Sequence, residues 1–168
     1  MKAGVEREFA RFWEQTWGKV KAYMVCACGN RGDADDLAQE CYLRALRNWD
    51  RFDGTGSRRG WLFAIARHTR ADWFRRQFRE TRVSVAAGTF EAGRTSTASD
   101  ADDIDMIWRI IEGLEAEHRE VIHLRFAADL SYAEIADMLH VPVGTVRSRL
   151  HRGLKAVRER IKEREDEG

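Results

Sequence analysis

One proline in 168 residues is the feature that most narrows the folds open to this chain. Proline and glycine punctuate strands, turns and loops, so long stretches free of both favour an all-helical chain. The hydrophobic fraction of 43% is enough to build cores and excludes wholesale disorder, although the charged fraction of 34% exceeds the usual ~25%. The charges nearly cancel: 29 Lys and Arg against 28 Asp and Glu leave a formal net charge of +1. No run approaches the ~18 apolar residues that cross a bilayer. The opening MKAGVEREFARFWEQ lacks a signal-peptide core, and 3 cysteines, an odd number, do not suit a secreted disulfide framework. The expectation is a soluble cytoplasmic protein of one ordinary domain or two small ones.

Periodicity divides the chain. Phe9, Phe12, Trp13, Trp17, Val20 and Met24 recur in steps of three and four and predict an amphipathic helix. Cys28 to Asp33 reads as a turn, with Asp33 or Asp35 as the cap of a second helix that runs to about Trp49. That helix carries Leu37, Ala38, Cys41, Tyr42, Ala45 and Trp49 on one face. Asp50 to Gly60 is a loop, and a third helix spans Trp61 to about Phe78, burying Leu62, Ile65, Ala66, Thr69 and Trp73. From Thr81 to Asp103 the chain turns rich in Ala, Gly, Ser and Thr without periodicity, which predicts a flexible, mildly acidic linker. Helical spacing resumes at Ile104, Ile107, Trp108, Ile111 and Leu114, then at Val121, Ile122, Leu124 and Phe126. Two more helices are predicted, Ser131 to Leu139 and about Val143 to Ile161. The fold class is all-α: two small helical domains, 1–80 and 104–168, on a flexible linker, 81–103.

The stretch from Leu130 to Leu154, LSYAEIADMLHVPVGTVRSRLHRGL, is the most informative. Ser131 with Glu134 three residues on makes a capping box and starts a helix at Tyr132. Ile135, Ala136 and Leu139 face inward, and small Ala136 permits close helix packing. His140-Val141-Pro142 is the turn, with the lone proline where a helix start tolerates a missing N–H. Val146 and Leu150 point back to the core, leaving Thr145, Arg147, Ser148, Arg149 and Arg152 outward. This is a helix-turn-helix whose second helix suits a DNA major groove. Between Val143 and Arg164 eight basic residues face only Glu159 and Glu163. A merely solvated, salt-bridged helix would not join capping box, turn proline and basic face in this order.

A second basic segment, Arg58 to Arg82, has eight arginines against Asp72 and Glu80, interleaved with Trp61, Phe63, Trp73, Phe74 and Phe78. Arginines among aromatics suit single-stranded nucleic acid, although Trp61 and Trp73 also read as core. The outward stripe Asp36, Gln39, Glu40, Leu43, Arg44 and Arg47 fits a protein-docking face or ordinary solvation.

At this point the residues carry a resemblance. DADDLAQECYLRALRNWDRFD (33–53) is similar to the polymerase-docking helix of bacterial RNA polymerase sigma factors of the extracytoplasmic-function (ECF) group. GWLFAIARHTRADWFRR (60–76) resembles their promoter −10 element, and residues 114–161, with GTVRSRLHRG, resemble their −35-binding domain. The resemblance implies that Asp36, Leu37, Gln39, Glu40, Leu43 and Arg47 dock on core RNA polymerase. It implies that Arg67, His68, Thr69, Asp72, Trp73, Arg75 and Arg76 lie at the melted −10 non-template strand. Thr145, Arg147, Ser148, Arg149 and Arg152 would then read or hold the −35 duplex. An anti-sigma partner, often membrane-bound, is a further expectation from resemblance alone; no cofactor, metal or small-molecule substrate is implied. The family commonly has asparagine where His68 stands, and Leu-Pro where this chain has Leu114-Glu115.

Physics fits that division of labour. A tether of ~20 residues reaches roughly 65 Å, nearly two ~34 Å turns of duplex, so two elements on one DNA could be held at once. Near-neutrality limits promiscuous DNA binding. The rival readings are a plain helix-turn-helix regulator, which leaves the Arg/aromatic helix without a role, an RNA-binding adaptor, and a metal or thiol enzyme. For the last, Cys26, Cys28, Cys41, His68, His118 and His123 match no common zinc spacing, and no nucleophile–base pair is visible.

Overall fold

The computed structural model describes residues 3–28, 31–87 and 101–166, and among them every regular element is helical. Contacts divide the chain into two units, Met1–Thr95 and Ser96–Gly168.

In the first unit α1 (Ala3–Cys28), α2 (Arg31–Arg47) and α3 (Arg58–Ala87) pack on one another. The predicted apolar face of α1 is real: Phe9, Val20 and Met24 are buried, and Phe12, Trp13 and Trp17 half-buried. The packing face of α2 is a seam of small residues, Ala34, Ala38, Cys41 and Ala45, at steps of four, three and four, all fully buried. Small side chains let helix axes approach closely. Leu62 and Phe63 of α3 close the core, each stabilising the unit by about 1.5–3 kcal/mol relative to exposure. Two buried polar side chains, Thr16 and Tyr42, bond each other. Thr16 Oγ1 spends its one proton on the Phe12 carbonyl (2.5 Å), so the Tyr42 hydroxyl donates to Thr16 (2.6 Å), and burial pushes the Tyr42 phenol up.

Three boundaries differ from the sequence reading. The second helix starts at Arg31, so neither Asp33 nor Asp35 is its cap; Asp33 lies in the first turn, favourable to the helix dipole, and Asp35 pairs with Lys21 at 2.7 Å. The third helix starts at Arg58, where Ser57 Oγ accepts from the Gly60 amide at 2.8 Å. It also runs on to Ala87, nine residues past Phe78, because no proline or glycine interrupts it before Gly88. With α4 starting at Ala101, both ends of the predicted linker 81–103 are therefore helical, and its middle, 88–100, lies outside the described residues. The loop before α3 turns at Trp49–Arg51 and uses Gly54 and Gly56 at φ of 81° and 72°, where a Cβ would be strained.

In the second unit α4 (Ala101–Glu112), α5 (Ala116–Ile122), α6 (Tyr132–Leu139) and α7 (Val143–Asp166) surround Ile110, Ile111, Leu114, Val121, Ile122, Leu124, Leu130, Ile135, Val146 and Leu150. Ile107 and Phe126, placed in helices by the sequence, are 36% and 55% exposed. After α5 the chain widens into a π-helical turn, His123–Ala127, that carries it towards α6. The carbonyl end of α4 is capped by arginines: Arg119 donates to Glu112 O at 2.6 Å and Arg160 to Ile110 O at 3.2 Å. The capping box is present, with Ser131 Oγ accepting from the Glu134 amide and a Glu134 carboxylate oxygen accepting from the Ser131 amide. His140, at φ 54°, ends α6, and the Pro142 carbonyl accepts the first amides of α7.

Gly153 sets how closely α7 lies on α5. A Cβ there would stand 2.9 Å from Ile122 Cδ1 and 3.3 Å from His118 Cβ. Gly153→Leu is therefore expected to destabilise the second unit by about 1–3 kcal/mol. In hydrogen–deuterium exchange, α5 and α7 should exchange faster while α1–α3 stay as in the parent chain; unchanged α5 and α7 would contradict the packing described.

Candidate nucleic-acid and protein-docking surfaces

Burial of the small-residue seam of α2 leaves its opposite face to solvent. Asp36, Gln39 and Arg47 are exposed there, and Leu43 is an apolar side chain that is 49% exposed. Glu40 is half-exposed and accepts from Arg44 Nε at 2.8 Å. Leu37, named with this group from the sequence, is only 4% exposed and packs in the core, where it also borders the groove between α2 and α3.

The outward face of α3 carries His68, Arg75, Arg76 and Arg79, all exposed, with Asp72 among them. Arg67 is half-buried. Thr69, predicted both as core and as part of the −10 group, is fully buried, its Oγ1 donating to Ile65 O at 2.9 Å, so it presents no side chain to a ligand. The aromatics also sort themselves. Phe63 is core, edge-on to Tyr23 at 5.7 Å, whereas Trp73 and Phe74 are half-buried and meet edge-to-face at 5.0 Å. Trp61 is half-buried against Trp49 and Phe52. Between α2 and α3 lies a groove of about 290 Å³ bordered by Asp33, Asp36, Leu37, Glu40, Trp73, Arg76 and Gln77.

Several arginines that look alike in sequence are committed to the fold. Arg58 lies over Trp49 (4.3 Å) and Phe52 (5.0 Å) and pairs with Glu8, and Arg70 lies over Tyr23 at 5.2 Å. Arg44 Nη1 meets Asp72 Oδ2 at 2.7 Å, and Arg75 pairs with the other oxygen. These hydrogen bonds, Arg44's first, hold the Asp72 carboxyl below the usual range, and the same bond raises Arg44. Arg44 belonged to the outward stripe by spacing, yet a partner 28 residues away in sequence gave no signal.

In the first half of α7 Arg147, Ser148, His151 and Arg152 are among the exposed side chains; Thr145 is half-buried. Ser148 Oγ donates to Thr145 O at 3.0 Å. Two guanidinium groups lie over the Tyr132 ring, Arg125 at 5.7 Å and Arg147 at 5.9 Å, which limits the freedom of Arg147 before any ligand arrives. Arg149 is different: Nη2 is 2.7 Å from Glu117 Oε2, and its side chain is 25% exposed. His151 was missed from sequence, although it stands one turn beyond Arg147 and Ser148 on the same face.

Among the described residues, no group of three ligand atoms close enough to hold a metal ion includes Cys26, Cys28 or Cys41. Burial pushes the Cys28 and Cys41 thiols up to about 12, so both stay protonated at neutral pH. Glu115, Glu117 and His118 bring ligand atoms within 4.8 Å of one another, but Glu117 is already engaged by Arg149.

Comparison with known proteins agrees with this geometry. The family model for Sigma-70 region 2 matches residues 12–80, and that for Sigma-70, region 4 matches residues 104–157. The chain is 31% identical over 159 residues to the ECF RNA polymerase sigma factor SigW of Bacillus subtilis, covering 86% of this chain and 85% of that one. It is 33% identical over 142 residues to the ECF RNA polymerase sigma-E factor of Escherichia coli, covering 77% and 74%. In fold it is similar to the sigma factor RpoE of Bartonella quintana, solved with the anti-sigma factor NepR, with a TM-score of 0.77 at 24% identity over 93% and 98% of the two chains. CnrH, solved with the cytosolic domain of CnrY, gives a TM-score of 0.72 at 20% identity over 94% and 90%.

The Asp72 bridges make a pH prediction. With the folded carboxyl held below its ordinary value of 3.8, the ion pairs stabilise the fold above that value and lose this contribution as pH falls through the lower folded value. Asp72→Asn is expected to lower stability at pH 7 by about 1 kcal/mol or less, the scale of exposed pairs. In urea melts the gap to the parent chain should close as pH drops from 4 towards 2; a gap independent of pH would mean that the charge is not what stabilises.

Proposed function

The chain belongs to the sigma-70 family, in its ECF group, and from that premise we propose how its surfaces divide the work of directing core RNA polymerase to promoters and opening them. Members of this family bind core polymerase and promoter DNA, and it is not a family of enzymes. The reading is carried by one observation: the region 2 match falls on the helices with the Leu43 face and the arginine–aromatic face, and the region 4 match falls on the helix-turn-helix.

Core polymerase docks on α2 through Asp36, Gln39, Glu40, Leu43 and Arg47, with Leu43 as the apolar anchor in a polar rim. The melted −10 non-template strand lies along α3, where Arg67, His68, Arg75 and Arg76 follow its backbone and Trp73 receives a base; these roles belong to residues 1–80. Opening needs no fuel. Unstacking a base-pair step costs about 1.4 kcal/mol, and an aromatic stack returns about 1–3 kcal/mol per base, so one or two captured bases offset one opened step. In residues 104–168, Thr145, Arg147, Ser148 and Arg152 enter the −35 major groove. Arg149 stands beside them, oriented by Glu117. The protein works in the cytoplasm, where polymerase and DNA are, and none of its described helices is long and apolar enough to cross a membrane. An anti-sigma protein holds it inactive until a signal arrives, a role proposed from family membership.

The test is a pull-down with sigma-free bacterial core polymerase followed by run-off transcription on a genomic fragment library. Stoichiometric binding with a few discrete starts is expected; specific duplex binding by the chain alone, without polymerase binding, would overturn the reading in favour of an ordinary regulator. Leu43→Asp should weaken core binding at least about tenfold with helicity retained, and undiminished binding would remove α2 as the docking helix. Arg152→Ala should weaken −35 duplex binding and lower the slope of log K against log salt by about 0.9; an unchanged slope would take Arg152 off the phosphates.

A further inference from the structure

The strand-binding face of α3 contains an unexpected charge. His68, Asp72, Arg75, Arg76 and Arg79 fall on one stripe of the helix. A carboxylate in the middle of a face that follows a phosphate backbone repels the ligand and competes for its arginines. The structure places a second helix's guanidinium on it. Arg44 reaches from α2 to Asp72 Oδ2 at 2.7 Å while its Nε holds Glu40 Oε1 at 2.8 Å. Asp72 Oδ1 accepts from Arg75, whose side chain is 68% exposed, so the rest of that guanidinium remains open to solvent.

We infer that Arg44 is a positioning residue for single-stranded DNA: by neutralising Asp72 from the neighbouring helix, it leaves Arg75 available to a phosphodiester that Asp72 would otherwise repel. The inference rests on the assignment of α3 to the melted strand. Arginine suits the place because its planar fork serves Glu40 and Asp72 at once, whereas a lysine ammonium has no fixed fork. The depressed Asp72 carboxyl and raised Arg44 agree with a fully ionised bridge. Because Glu40 and Arg44 share α2 with the docking face, the same bridge ties the polymerase-binding helix to the DNA-binding one.

The experiment measures fluorescence anisotropy of a labelled non-template −10 strand, from a promoter mapped by run-off transcription, with holoenzyme assembled on core polymerase, across a salt series. Parent holoenzyme that fails to bind the strand overturns the α3 assignment and this inference together; the variants address Arg44 alone. Arg44→Gln is expected to weaken strand binding about fivefold and to lower the salt slope by about 0.7, one single-strand phosphate contact. Adding Asp72→Asn should restore affinity to within about twofold of the parent, as coupled neighbours do when the offending partner is removed. A merely structural role for Arg44 would show no such rescue, and a double variant no tighter than Arg44→Gln overturns the inference. Should Arg44→Gln fail to fold, Asp72→Asn alone decides. It is expected to bind more tightly than the parent, with a slope steeper by about 0.7, and loss of binding would mean that Asp72 itself contacts the strand.

Discussion

The close approach of α2 to α1 and α3 is the constraint on which the first unit depends. Ala34, Ala38, Cys41 and Ala45 have almost no side chain to keep the helices apart, and all are fully buried. That proximity does two things. It turns the opposite face of α2, with Leu43 at its centre, outward, and it brings Arg44 within hydrogen-bond reach of a carboxylate on α3. A larger residue in the seam would move the helix axes apart by an ångström or more, and the Arg44–Asp72 bond at 2.7 Å would not survive. The outward face of α2 and the Arg44–Asp72 bridge are therefore set by the same packing.

The second unit solves the same problem with glycine. Gly153 lets α7 lie against α5 at Ile122 and His118, which fixes the recognition helix at its middle while the capping box fixes α6 before it. Held at both points, α7 projects Arg147, Ser148, His151 and Arg152 as a group. The long arginines still cost rotamer freedom on binding. Stacking of Arg147 on Tyr132 and pairing of Arg149 with Glu117 remove part of that cost in the folded chain.

Local rules made much of this legible. Periodicity located the helices, and Ser131, Glu134 and Pro142 located the helix-turn-helix, because caps and turns depend on neighbours in sequence. Boundaries were harder: α3 outran its apolar periodicity to Ala87, since nothing before Gly88 stops a helix once it is nucleated. Exposure was legible where it follows from spacing, as at Gln39, Leu43, Arg76 and Arg152. It was not legible at Leu37 and Thr69, which are buried. Nor could spacing show that Arg44 faces Asp72 or that Arg149 faces Glu117, since both pairs are made between helices.

Those interhelical pairs change what the charge count means. The chain is nearly neutral, yet two of its segments are rich in arginine. The structure divides the arginines into two kinds. Arg44, Arg58, Arg70, Arg119, Arg149 and Arg160 bond carboxylates, carbonyls or aromatic faces of the protein itself. Arg76 and Arg152 are exposed, and Arg75 and Arg147 are exposed while also meeting Asp72 and the Tyr132 ring. Each neutralised arginine removes one counterion-releasing contact from non-specific binding.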